Sequence, residues 1–250
     1  VDEGLQLRRA GFTCPLLIVG PFLDFEVEVA LRQGLSLPIY SLETLQMVAT
    51  AAQRLALKAR VHVKFDTGLG RLALDWQQAR PFLERVKHTP GVEIEGIYSH
   101  LADAEGLDQR YTLQQFQRFQ KIQQDAQELE IRPEVFHLSA SAAAMLLQPA
   151  RLDAVRVGIA LYGLWPAEET RLLLLSRGHN LFQKLNLHFS SGLTPELDDL
   201  LQPALSFKTR IIQIKDIPKD SYVGYGCTFQ TQRPTRLAVL PVGYYEGYDR

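Results

Sequence analysis

The sequence predicts an α/β chain: an incomplete TIM-like (β/α)8 barrel followed by the start of a small antiparallel β domain. Three observations predict it. Short apolar strands alternate with amphipathic helices from residue 15 to residue 159, the order that parallel β/α units require. The stretch VHVKFDTGLGRL, residues 61–72, sets Val61, Val63 and Phe65 against His62, Lys64 and Asp66, so one strand has two unlike faces. After Leu164 the rhythm stops, and alternation resumes only beyond residue 204. The expected organisation is therefore a truncated barrel over 1–164, a linker or surface excursion over 165–203, and the β domain over 204–250.

The chain has 250 residues, enough for one large core or a large and a small domain. With 46% hydrophobic and 22% charged residues and a net charge of -1, it has an ordinary globular composition. No Lys/Arg cluster suits nucleic acid, and no apolar run reaches the roughly 20 residues that cross a bilayer. Cys14 and Cys227 are isolated, which suits free thiols in a reducing cytoplasm.

Strands are expected at 15–20, 35–40, 59–66, 94–100, 135–139 and 154–160, with helices at 24–33, 42–57, 76–87, 113–129 and 141–147. The fourth helix is the clearest: Leu113, Phe116, Phe119, Ile122, Ala126 and Leu129 recur at helical spacing. Asp75 caps the third. A helical segment, 1–9, opens the chain with no strand before it, and about six β/α units stand where a closed barrel has about eight. In the tail, 205–215, 228–231 and 236–244 read as antiparallel strands between the turns IPKD and RPT.

Four successive strands each bring one basic or imidazole group to one side: Lys64, His100 in IEGIYSH, His137 in EVFHLS, and Arg156 in AVRVGIA. The C-terminal ends of parallel strands form active sites, and a cluster of this sign wants anions. Singly, each group has a bland reading. His100 or His137 could be a core histidine bonded to backbone, and Lys64 could pair with Asp66. A guanidinium among valines needs partners, which makes Arg156 the informative member. Gly68 and Gly70 allow a tight turn that delivers Arg71 just past its strand.

HVKFDTGLGRL, EGIYSHLADA, HLSASAA, VRVGIALYGL, VGYGCTF and VGYYEGY occur in the order and approximate spacing of alanine racemase, and the chain resembles that family over nearly its whole length except 165–203. The resemblance implies pyridoxal 5'-phosphate as cofactor, interconversion of L- and D-alanine by two bases, and a cytoplasmic homodimer. It implies that Lys64 is the commonly carbamylated lysine steadying Arg71. Arg71 in turn would meet the cofactor's phenolic oxygen and the substrate carboxylate. Arg156 would face the pyridine nitrogen with His137 behind it, and Ser141 with the backbone of Gly158 and Ile159 would cradle the phosphate. Tyr225 of VGYGCTF matches the catalytic tyrosine supplied by a second subunit. Its phenol, titrating near pH 10 unperturbed, needs positive charge nearby, and His100 is the matching candidate. Without the resemblance Tyr225 is an ordinary turn tyrosine. Tyr244 and Tyr248 read as aromatic groups near an interface or substrate entrance, or as packing residues.

Two departures stand out. Ala140 replaces the family's asparagine, so one polar contact near the phosphate is lost or taken over by Ser139. No V-K-x-x-x-Y-G segment carries the lysine that forms the Schiff base, so a piece of a longer chain is expected, lacking the first barrel strand or strands and the end of the β domain. Racemisation of another small amino acid such as serine, or a non-catalytic remnant that binds the cofactor, are the alternatives.

Overall fold

A computed structural model describes residues 1–176 and 200–247 of the protein. Two compact units divide the chain, Val1–Gln202 and Pro203–Arg250.

The first unit opens with helix α1 (Asp2–Arg9), then runs β1 (Leu16–Leu17), α2 (Asp24–Arg32), β2 (Leu35–Ile39), α3 (Leu42–Leu55) and β3 (Ala59–Asp66). It continues through a short β4 (Leu74–Asp75), α4 (Ala79–Lys87), β5 (Val92–Tyr98), α5 (Arg110–Glu128), β6 (Val135–Ala140), α6 (Ser141–Leu146), β7 (Ala154–Arg156) and α7 (Glu168–Ser176). The strands form one curled sheet in the order β1-β2-β3-β5-β6-β7, every pairing parallel, with β4 beside the end of β3. This is a half-barrel of six main strands, as the rhythm of the sequence requires.

Local signals explain most boundaries. Ser41 starts α3 by accepting the Thr44 N–H at 3.2 Å, and Asp75 accepts the Gln77 N–H at 2.9 Å to start a 3-10 turn ahead of α4. Helix α5 begins at Arg110, earlier than the apolar spacing suggests, because the Asp108 carboxylate accepts the Arg110 N–H at 3.1 Å. The expected strand 154–160 stops at Arg156. There the Leu161 N–H turns back to the Gly158 carbonyl at 2.9 Å and closes a 3-10 turn, Ile159–Tyr162.

The alternation of β3 is resolved as two surfaces. Ala59, Val61, Val63 and Phe65 are buried in the core against the helices, while Arg60, His62 and Lys64 face the other way. The core-facing side chains of α5, Phe119, Ile122 and Ala126, are fully buried, and the Phe119 ring meets Phe136 of β6 edge-on at 6.4 Å. Where a linker is expected from residue 165, α7 forms and buries Thr170 and Leu174. The rest of that stretch, residues 177–199, lies outside the described residues, as does Tyr248.

The second unit holds two antiparallel pairs, β8 (Gln213–Ile217) with β11 (Thr235–Val239), and β9 (Tyr222–Val223) with β10 (Phe229–Gln230). Buried Thr231 clasps the first turn: its hydroxyl donates to the Pro218 carbonyl at 2.8 Å, and its carbonyl accepts the Asp220 N–H at 2.7 Å. The expected strand over 205–215 is paired only from Gln213 onward, so most of it does not form a strand. No helix among the described residues is long and apolar enough to cross a membrane.

Replacing Phe119 with Ala leaves a cavity where α5 meets β6 and should cost about 3–5 kcal/mol of stability. Urea unfolding of the two proteins checks this, and a loss below about 1 kcal/mol would contradict the packing described.

Candidate active site

Arg156 ends β7 at the C-terminal side of the sheet, and its guanidinium is held by four acceptors. Nη1 donates to His137 Nδ1 at 2.5 Å; Nη2 donates to the carbonyls of Ser99 at 2.7 Å and Leu138 at 3.0 Å and to His100 Nδ1 at 3.2 Å. Nε makes no hydrogen bond among the described residues and remains as a donor. Burial lowers the Arg156 pKa to about 10, so the group still carries its charge at neutral pH.

Because a guanidinium can only donate, its bonds fix the tautomers around it. His137 and His100 must each leave Nδ1 bare and carry their hydrogen on Nε2. The His137 Nε2–H then points at His62 Nδ1, 2.9 Å away, and His62 Nε2 lies 3.4 Å from a Glu95 carboxylate oxygen. Glu95 also accepts from Ser36 and sits 2.7 Å from Arg60. A line of neutral donors thus runs from Arg156 through two imidazoles to a buried carboxylate. Burial, followed by the Arg156 charge, pushes His137 down to about 2 and His100 to about 4; burial also lowers His62, against the pull of Glu95.

Tyr98 packs this line in place. Its ring stacks on His137 with centroids 4.6 Å apart and meets His62 nearly edge-on at 6.3 Å, while burial raises its phenol to about 12. Its hydroxyl is buried and makes no hydrogen bond among the described residues. Gly96 leaves room for the imidazole, since a Cβ there would collide with His62. Sequence reading missed His62, Glu95, Tyr98 and Gly96 as members of the site. Alternation with Lys64 signals His62, but nothing in the pattern signals Glu95. A register shift pairs Val61 with Ile94 and His62 with Gly96, leaving Glu95 as an extra residue turned toward His62.

Lys64 and Arg71 complete the positive group. Lys64 Nζ lies 5.6 Å over the Tyr98 ring, and burial, then Arg71 and Arg156, lower its pKa. The ion pair with Asp66 does not form. Asp66 instead accepts the N–H groups of Gly68 and Leu69 at 2.7 Å and of Arg71 at 3.1 Å, closing the turn that carries Arg71. Arg71 lines a small cavity with Lys64, Ser99 and His100.

At the next strand end, the Ser141 hydroxyl accepts the Gly158 N–H at 3.1 Å and the Ala160 N–H at 3.5 Å. Gly158 has open space where a side chain would stand, and Ile159 is exposed beside it. Ser139 does not stand in for the polar group missing at Ala140: its hydroxyl is buried and donates to the Ala150 carbonyl at 2.6 Å. In the second unit Tyr225 is exposed in a turn whose flanking Gly224 and Gly226 have φ of 79° and 77°. Tyr244 is also exposed, in a 3-10 turn of the same unit.

Residues 1–166 match the family described as alanine racemase, N-terminal domain, and residues 204–250 match alanine racemase, C-terminal domain. The chain belongs to the alanine racemase family. An alanine racemase of Methanococcus maripaludis is 34% identical over 249 residues, which cover 99% of this chain and 60% of the relative. The alanine racemase structure from Clostridium difficile 630 superposes with a TM-score of 0.77 at 29% identity, covering 100% of this chain and 59% of that one. That of the Bacillus anthracis alanine racemase with bound L-Ala-P gives 0.75 at 29% identity, covering 99% and 58%. The chain spans about 60% of the length of the curated relatives it matches.

The depressed imidazoles set an acid dependence. An unfolded histidine titrates near 6.5, so on acidification the unfolded chain binds protons before His100, at about 4, or His137, at about 2. Stability should be complete above about pH 6.5 and decline as pH falls through 4 and toward 2. Urea midpoints between about pH 7 and pH 4 should fall less steeply for His137→Gln, by about one proton. Parallel slopes would contradict a neutral, buried His137.

Proposed function

We propose that this chain belongs to an enzyme that interconverts L- and D-alanine with pyridoxal 5'-phosphate. The observation that carries the reading is Arg156, fixed by His137 and two carbonyls at the strand ends with its Nε–H uncommitted among the described residues, in a chain of the alanine racemase family. Bound pyridoxal phosphate supplies an electron sink that acidifies the α-hydrogen of an attached amino acid.

The residues fit that group. Arg156 offers a hydrogen to the pyridine nitrogen and, keeping its own charge, disfavours protonation there, which favours return of the α-hydrogen over side reactions. His137 holds the guanidinium. Ser141, whose hydroxyl accepts the Gly158 N–H, and the backbone at Gly158 and Ile159 would hold the phosphate, for which the open space at Gly158 leaves access. Arg71 offers its fork to the phenolic oxygen and the substrate carboxylate. A buried lysine with a lowered pKa sheds its proton readily, and the neutral amine adds carbon dioxide to give a carbamate and a proton; Lys64 in that form would balance Arg71.

Tyr225, from a second subunit of a homodimer, is one of the two bases. His100, kept neutral by burial and by the Arg156 charge beside it, accepts from Arg156 and would offer Nε2–H to the Tyr225 oxygen, with Arg156 supplying the charge that favours a phenolate. Exposed Cys14 and Cys227 are free and fit a reducing, cytoplasmic setting.

The full-length gene product, loaded with pyridoxal phosphate, should change the optical rotation of either alanine enantiomer to the same end point. Equal energies of the enantiomers require both directions to slow together, so the informative variant is Tyr225→Phe. Racemisation should fall by about 100-fold or more while solvent-deuterium exchange of one enantiomer survives. Full racemisation by that variant would remove Tyr225 from the mechanism.

A further inference from the structure

The turn that carries Arg71 is gripped from outside by α5. Tyr111 donates its hydroxyl to the Gly68 carbonyl at 2.7 Å, and Arg118 Nη1 donates to the Thr67 carbonyl at 2.7 Å. Seven residues apart on one helix, the two share a face. The Arg118 guanidinium is fixed in turn, 5.7 Å from the Trp76 ring centroid and 6.0 Å from that of Tyr111. Between them buried Gln115 donates to the His100 carbonyl at 3.3 Å and accepts the Ala102 N–H at 2.8 Å, tying the same helix to the neighbouring strand end. Gly68, with φ of 134°, is where the grip demands a missing side chain: a Cβ there would strike the Tyr111 hydroxyl and the Arg118 guanidinium.

The Arg71 side chain makes no hydrogen bond among the described residues, so the backbone of its turn sets its aim. That backbone is held on one side by the Asp66 carboxylate and on the other by two α5 side chains that reach only carbonyls. We propose that Arg118 and Tyr111 are positioning residues that hold the Arg71 guanidinium for a substrate carboxylate. The proposal rests on the role assigned to Arg71 above.

The test uses the full-length gene product loaded with pyridoxal phosphate, with propionate as the carboxylate probe, its dissociation constant read by calorimetry beside KM and kcat for alanine. Arg118→Gln and Tyr111→Phe should each weaken propionate and raise KM about tenfold, the size of one lost ordering hydrogen bond. In an Arg71→Gln background the same substitutions should add nothing, because they act through Arg71. Tyr111→Phe removes a single oxygen from a partly exposed ring and so leaves folding intact. Unchanged propionate affinity in both variants, with Arg71→Gln itself weakened, would overturn the grip alone. Additive losses in the Arg71→Gln background would overturn it too. An Arg71→Gln protein that binds propionate normally would remove the reading of Arg71 and the grip with it.

Discussion

One guanidinium organises the site. Arg156 can only donate, and it is placed where two imidazoles and two carbonyls must all accept. From that constraint the hydrogen positions of His137, His100 and His62 follow, and the line ends at Glu95, the carboxylate that can take the last hydrogen. The positive charge stays at one end of the line and the negative charge at the other. Burial makes this arrangement hold: at the low effective dielectric of the interior a second cation beside Arg156 is costly, so the imidazoles remain neutral.

The half-barrel supplies the geometry. Parallel strands end on the same side, so Lys64, His100, His137 and Arg156, spread over about ninety residues of chain, arrive within contact of shared partners. Helices on the outer face take up Val61, Val63 and Phe65 of the same strand that presents His62 and Lys64 inward. The core therefore fixes the site through the backbone, and the polar face needs only to satisfy its own hydrogen bonds.

Two kinds of glycine illustrate the cost of that closeness. Gly96 yields its side-chain space to the His62 ring, and Gly68 yields its own to Tyr111 and Arg118. In the sequence Gly68 reads as one of two glycines that allow the tight turn before Arg71. In the fold it marks where a helix presses on that turn from behind.

Much of this was legible in the residues. Alternation in VHVKFDTG separated core from site, the spacing of Phe119, Ile122 and Ala126 gave the buried face of α5, and the order of strands and helices gave the parallel sheet. The motifs around Arg71, His137, Arg156 and Tyr225 indicated the family. What a period cannot carry is an interruption of itself. Counting by twos from Tyr98 sends Glu95 to the helices, and only the extra residue in the pairing of β3 with β5 turns it inward. The same holds for Ser139, whose hydroxyl goes to the Ala150 carbonyl, and for Lys64, whose supposed partner Asp66 is taken by three backbone N–H groups. The sequence by itself determined which residues lie on which face of each regular element, because that depends on local backbone geometry. Tertiary structure alone decided which polar atoms meet, because a hydrogen bond depends on register and distance between segments remote in the chain.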